Sequence, residues 1–274
     1  MKSKPLSMAL MALGPLFSAV AGQENTPPPP QAVVHLVEQI RRADYEGDRP
    51  GLARLRTQLA PDTQDKKLES RIRYWRGFAL WRRALNGFND AVDSKELEQD
   101  LKEAIDEFEQ SLAADPGFVD AKVGEISCLL NLVFIHRNDG ARVRELLQRA
   151  VPLLKEAQEA EPENPRLLWV LGSSQFYRSV EQGGGQVKGM ETYKKGLEGS
   201  RKQKTNSTDS LEPSWGEPEL LMNLAWSNLN ATTPDVAAAD QYAQAALKLV
   251  PYWHYVRDIL WPQIREAKTR ASKP

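Results

Sequence analysis

Apolar residues recur along this chain at intervals of three and four, and no stretch alternates convincingly at two. Val33, Leu36, Val37 and Ile40 form the first stripe, over residues 31–44. Leu52, Leu55 and Leu59 form a short second one between Pro50 and Pro61, with Asp48 placed to cap it. From Asp62 or Thr63 a longer stripe carries Leu68, Ile72, Trp75, Phe78, Ala79 and Trp81. At 3.6 residues per turn such positions fall on one face, so each stripe predicts an amphipathic helix. The same reading gives a helix from Ser94 to the stop at Asp115-Pro116, and an unusually apolar one over 117–136. A helix from Ala141 stops at Glu161-Pro162 and carries Pro152, where a kink is expected, and Asn164-Pro165 starts another that runs to Tyr177. Later helices cover 186–201, the stretch from Glu217-Pro218, the stretch from Thr233-Pro234 to Pro251, and 252–270, where Pro262 predicts a kink. Polar loops are expected at 86–94 and 202–213, and Gly183–185 reads as a tight turn with positive φ. The expected fold is all-α.

A repeat emerges when the second helices of successive pairs are aligned. Ala104, Phe108, Ser111 and Pro116 stand at offsets 0, 4, 7 and 12, as do Ala150, Leu154, Ala157 and Pro162, and Ala239, Ala243, Ala246 and Pro251. Gly189, Tyr193 and Gly196 match the first three offsets, with Arg201 in place of the proline. This pattern of small, large, small and proline resembles the tetratricopeptide repeat (TPR) family. Leu171-Gly172 and Leu224-Ala225 match its leucine–small pair on the first helices, and Gly77 is a candidate equivalent. After Pro116 the small position falls on Ile126, a departure. The copies are spaced 46, 39 and 50 residues apart, against a family period of about 34. The resemblance spans about residues 71–256 and implies a right-handed stack of antiparallel helix pairs, an α-solenoid. Residues 31–60 and 252–270 would cap its ends.

In that family the first helices line a concave surface that takes a peptide or partner segment. The resemblance therefore implies a groove formed by Arg166, Trp169, Ser173, Phe176 and Tyr177 of one helix and Met222, Trp226, Leu229 and Asn230 of another. Val123, Ser127, Leu130 and Asn131 of the helix after Pro116 are further candidates. A set this aromatic suits an apolar peptide, or an apolar small ligand of the kind held by solute-transport-associated repeat proteins, better than an acidic tail. The competing reading places Trp169 and Trp226 in the core.

The first residues change the picture of where the protein works. Lys2 and Lys4, the apolar run 6–20 and the small residues Ala19-Val20-Ala21 read as a secretory signal peptide over 1–21. Its apolar run is short for a membrane span. Pro27 to Pro30 make residues 22–30 an extended linker, 31–270 the folded domain, and 271–274 a tail. Without Lys2 and Lys4, 34 basic residues face 37 acidic ones, a charge of −3. That balance argues against nucleic acid as a partner. One cysteine, Cys128, makes no intramolecular disulfide, and an exported chain with one thiol suits a periplasm or other secreted setting. Asn206-Ser207-Thr208 and Asn230-Ala231-Thr232 fit glycosylation acceptors in a eukaryotic secretory host.

No constellation predicts chemistry. His35, His136 and His254 are far apart and in no metal-ligand frame. There is no nucleophile elbow, and Gly183–185 lacks the strand and lysine of a phosphate loop. Glu103 and Glu107, one turn apart, read as solvated charge. The arginines of the third helix (Arg71, Arg73, Arg76, Arg82 and Arg83) read as a solvated face or as a patch for an acidic partner. The expectation is a non-enzymatic binding protein without a cofactor.

Overall fold

The computed structural model describes residues 30–204 and 210–271. The expected signal peptide, all of the linker but Pro30, all of the tail but Ala271, and Asn206-Ser207-Thr208 lie outside the described residues. Within them every regular element is helical: α1 (Pro30–Glu46), α2 (Arg49–Gln58), α3 (Lys66–Asn89), α4 (Ser94–Ala114), α5 (Val119–Ile135), α6 (Gly140–Ala160), α7 (Pro165–Tyr177), α8 (Gln186–Lys204), α9 (Glu217–Asn230), α10 (Val236–Leu249) and α11 (Trp261–Ala271). A wide-turn segment, Tyr255–Leu260, leads directly into α11. Helices pack in succession, α3 on α4, α5 on α4 and α6, α7 on α8, and α9 on α10. The all-α stack of helix pairs expected from the periodicity is the fold.

Local signals explain most of the boundaries. Asp48 accepts from the Gly51 amide at 2.8 Å, and Asn164 accepts from the Arg166 and Leu167 amides with Pro165 in the first turn. Helix α3 starts later than Asp62 or Thr63 suggests, because Asp65 caps it through the amides of Lys67 and Leu68. It also continues through the expected loop at 86–89. Asn86 is no turn former there: its Nδ2 donates to the Asp44 carbonyl and Oδ1, each at 3.1 Å. Pro152 does not end α6, which runs through it. Pro262 is absorbed differently. The amide of Trp261 bonds to the Val256 carbonyl five residues back, and this wider turn accommodates a residue that has no N–H and needs room for its ring. Gly183 and Gly185 adopt φ of 77° and 113°, the positive values expected of the turn between α7 and α8.

The repeat positions do the packing work. A Cβ on Gly77 would lie 3.0 Å from the ring of Phe108, and one on Gly124 only 2.4 Å from it. Phe108 of α4 is thus a knob between two glycines, on α3 and α5. Gly124 supplies the small position that register alone placed on Ile126. Tyr193 of α8 sits over Gly172 in the same way, 2.4 Å from where its Cβ would be.

Two expectations are corrected by the interior. The polar composition of 202–213 suggests a surface loop, yet 202–204 are helical and Leu211, Pro213 and Trp215 are buried. Trp215 donates from Nε1 to Tyr74 OH at 2.8 Å, and its ring lies edge-on to Trp81 and Trp169. Trp75 Nε1 donates to the Leu211 carbonyl at 2.8 Å. A polar segment thus plugs the core with its two large apolar side chains.

The second correction concerns charge. The α3 arginines form neither a solvated face nor a free patch, because carboxylates of the chain, three of them buried, engage them. Glu107, only 3 % exposed, accepts from Arg56, Arg73 and Arg76 and is not solvated charge. Burial alone would raise its carboxyl, but those arginines outweigh it and hold the group below the usual range. Arg71 bridges Asp115 and Glu212, Arg83 reaches Glu96 and Asp100, and Arg82 donates to Asp44.

The two expected caps do not face away from each other. Tyr45, at the end of α1, lies edge-on to Trp253 with ring centres 5.1 Å apart, and to Tyr252 at 6.4 Å. Its hydroxyl donates to Glu219 of α9 at 2.8 Å. Arg42 stacks over Tyr252 at 4.9 Å. The start of the chain's helical array is therefore packed against its end.

Candidate functional site

Three first helices, α3, α7 and α9, border an aromatic cleft of about 290 Å³. One wall is α7, with Trp169, Ser173, Phe176 and Tyr177. The opposite wall is α9, with Met222, Asn223 and Trp226. The last turns of α3 supply Leu85, Asn86 and Phe88, and Trp253 and Tyr255 close the far side. A second cavity of about 440 Å³ continues across the other side of α7, toward Ser127, Leu130, Asn131 and Phe134 of α5 and its end. The two share Leu85, Trp169, Ser173 and Tyr177, which stand between them, one cavity on either side of α7.

The walls are held by ring contacts and a few hydrogen bonds. Trp226 lies edge-on to Phe176, with centres 5.7 Å apart, and 6.0 Å from Tyr177. Phe176 is buried against this pair, whereas Tyr177 is 74 % exposed and forms the rim. Ser173 Oγ and Tyr193 OH are 2.8 Å apart, and burial pushes the Tyr193 phenol up to about 12. That hydroxyl stays a neutral hydrogen-bonding group at physiological pH.

Of the residues placed in the groove from the sequence, Trp169, Ser173, Phe176, Tyr177, Met222 and Trp226 line the cleft. Ser127, Leu130 and Asn131 line its continuation, while Val123 is core, packed with Ile126 and Leu167. Groove and core are not exclusive. Trp169 contacts all three apolar clusters of the fold and still presents one edge to the cleft, its Nε1 buried without a partner. Trp226 is half-buried in the same manner.

Arg166 and Asn230 stand apart from the cleft. Arg166 is 1 % exposed, and its guanidinium is taken up by Asp120 at 2.5 and 2.9 Å and by Gln203 at 2.7 Å. It shares the helical face of Trp169 but lies one turn toward the α7 N-terminus, where that face meets buried charge. Asn230 lies one turn beyond Trp226, and its Nδ2 bonds back to the Trp226 carbonyl at 2.9 Å.

Sequence reasoning missed the α3 contribution. Arg82 and Asn86, one turn apart, both line the cleft and both bond to Asp44 of α1. The only signal was that they continue, at i, i+4 from Phe78, the face that carries the aromatic stripe. Among the described residues no group of His, Cys, Asp or Glu stands close enough to hold a metal ion, and no helix is long and apolar enough to cross a membrane. Cys128 is buried in the core, where burial, helped by Glu125, raises its thiol well above the ordinary value.

Comparison with known proteins adds little beyond this geometry. No family model matches the chain, and neither does any curated protein. Among solved structures the chain is similar to a thermophilic TPR protein of Thermus thermophilus, with a TM-score of 0.46 and 18 % identity. That match covers 88 % of this chain and 98 % of the other.

Proposed function

We propose that this is a non-enzymatic helical-repeat protein that holds a peptide segment of a protein partner in the channel between α3, α5, α7 and α9, in the cell envelope. One observation supports it above the others. The aromatic cleft is open, with an exposed rim at Tyr177, and a second, largely apolar cavity lies across α7 and shares that rim. Such a shape accepts successive side chains of an extended segment, whereas an apolar small ligand is better served by a closed chamber. Aromatic side chains that bury area while losing little rotamer freedom are the usual anchors of such contacts. The envelope location rests on residues 1–21 and their signal-peptide pattern.

A photo-crosslinking residue at position 177, in the full chain in its native cells, tests this reading. Leu249 on α10, 40 % exposed and outside the channel, is the control position. A protein adduct formed from 177 and not from 249 is the expected result. Equal labelling from both positions, or none from 177, would remove the channel as the partner site.

A further inference from the structure

The most exposed large apolar side chains of the described residues gather at one edge of the stack, where first helices end and second helices begin. Tyr177 closes α7, Val180 stands in the turn to α8, and Val187 lies in the first turn of α8; they are 74, 74 and 68 % exposed. Phe134, at the end of α5, is 57 % exposed. The two turns are neighbours. Phe134 and Tyr177 border one cavity, while Arg178, Val180, Val187 and Lys188 border another of about 660 Å³. Of the four apolar residues only Tyr177 also lines the aromatic cleft.

Each apolar tip has a cation beside it. Arg137 stacks over Phe134 at 4.9 Å, Arg178 follows Tyr177, and Lys188 follows Val187. Among the described residues none of these three cations forms an ion pair. Arg137 and Lys188 donate to the carbonyls of Phe134 and Gly183, and Arg178 donates to Ser174 Oγ. The stretches 134–144 and 177–188 carry five cations and two acids, in a chain of net charge −1. Both acids are engaged by their own turns. Asp139 accepts from the amides of Ala141 and Arg142, and Glu181 is held below the usual carboxylate range by its own amide and by Ser179.

We infer that this edge is a membrane-docking surface, with the tips of the α5–α6 and α7–α8 turns entering the headgroup layer of a bilayer that bears anionic phospholipid. The inference stands apart from the peptide-channel reading. The buried centre of a protein interface is depleted of charge. Here the apolar groups are separate points, each accompanied by an unneutralised cation. A bilayer surface takes that arrangement. Valine and phenylalanine tips pass below the headgroups, the tyrosine phenol stays at their level, and long basic side chains reach the phosphates. Each such cation adds attraction to anionic lipid.

The test co-sediments the full chain, purified from its native cells, with vesicles of phosphatidylcholine alone and of phosphatidylcholine with an equal part of phosphatidylglycerol. Two double variants are compared with the parent, Val180→Ser with Val187→Ser and Arg178→Gln with Lys188→Gln. All four positions are exposed, so folding is expected to be unchanged, and thermal melts check it. The expected result is binding to the mixed vesicles about tenfold or more tighter than to phosphatidylcholine. Either double variant, or raised salt, should weaken it about tenfold. Absence of binding, equal binding to both vesicles, or an anionic preference that survives both double variants each overturns the inference. So does an equal loss in Lys248→Gln with Leu249→Ser, an exposed basic and apolar pair on α10 away from this edge.

Discussion

Nη2 of Arg166 lies 2.9 Å from Oδ2 of Asp120, and Nε lies 2.5 Å from Oδ1, with both side chains almost withdrawn from water. The pair ties the start of α7 to the start of α5. Removing the cation alone strands a buried carboxylate. Arg166→Ala is expected to lower stability by about 3–5 kcal/mol, and Arg166→Met with Asp120→Leu to recover most of that loss. Urea unfolding of the two variants checks the contrast. Equal losses would mean that the fork is not what holds these helices together.

Gly172 is the tightest point of the cleft wall. A methyl group there would lie 2.4 Å from the ring of Tyr193, whose hydroxyl meets Ser173. Gly172→Leu should overpack this joint and destabilise by about 1–3 kcal/mol, with Gly172→Ala at the lower end. Gly117→Ala is the control, because its added carbon would meet only an ordinary contact at 3.6 Å. Thermal melts of the three variants give the answer, and an unchanged Gly172→Leu would refute the close approach of α7 and α8.

Trp169 and Tyr177 should separate stability from binding. Trp169 joins all three apolar clusters, so Trp169→Ala is expected to cost about 3–5 kcal/mol whatever it does to a ligand. Tyr177 stands at the rim, and Tyr177→Ala should change stability by less than about 0.5 kcal/mol. Its effect should fall on affinity for the partner's peptide segment, about tenfold. Fluorescence anisotropy with a labelled peptide from the crosslinked partner, alongside a melt, reads both quantities. A rim variant that binds as well as the parent would exclude Tyr177 from the contact.

Acid should weaken the fastening of the last helix. Asp240 accepts from Lys268 Nζ at 2.8 Å and Trp261 Nε1 at 2.9 Å, fastening α11 to α10. The hydrogen bond from Lys268, then those from Gln244 and Trp261, hold its carboxyl down at about 2. A depressed folded-state pKa gives stability that is fully present above the ordinary value of 3.8 and lost as pH falls through about 2. The stability difference between the parent and Asp240→Asn should therefore be constant at pH 5–7 and shrink between about pH 4 and 2. Denaturant midpoints at these pH values measure it, and a difference independent of pH would exclude the ionised form as the fastening.

What the sequence made legible was periodic or punctuated. Asn164-Pro165 and Asp115-Pro116 mark helix edges because caps and proline act within a turn of themselves. Trp169, Ser173, Phe176 and Tyr177 fall on one face of α7 by spacing alone, as do Met222 and Trp226 on α9. The pairings that fix the charges were not legible. Asp44 and Arg82 are 38 residues apart, and Arg71 and Glu212 are 141 apart. No periodicity links such partners, so arginines that grip distant acids looked like surface. Leu211 and Trp215 failed for the converse reason: two isolated apolar residues in a polar stretch carry no stripe, yet one indole is enough to anchor a segment in the core.

The meeting of Tyr45 with Tyr252 and Trp253 bears on how this molecule comes apart. A linear array of repeats has two free ends, and it frays from them because each unit answers only to its neighbours. Here the end of α1 is seated on the turn that follows α10, so neither can peel without opening the seam between them. The chain is expected to melt as one unit, without a ladder of partly unwound forms, and to tolerate trimming at either terminus far less than an open stack of the same length. The seam makes the start of the array and the turn before its last helix a single joint rather than two loose ends.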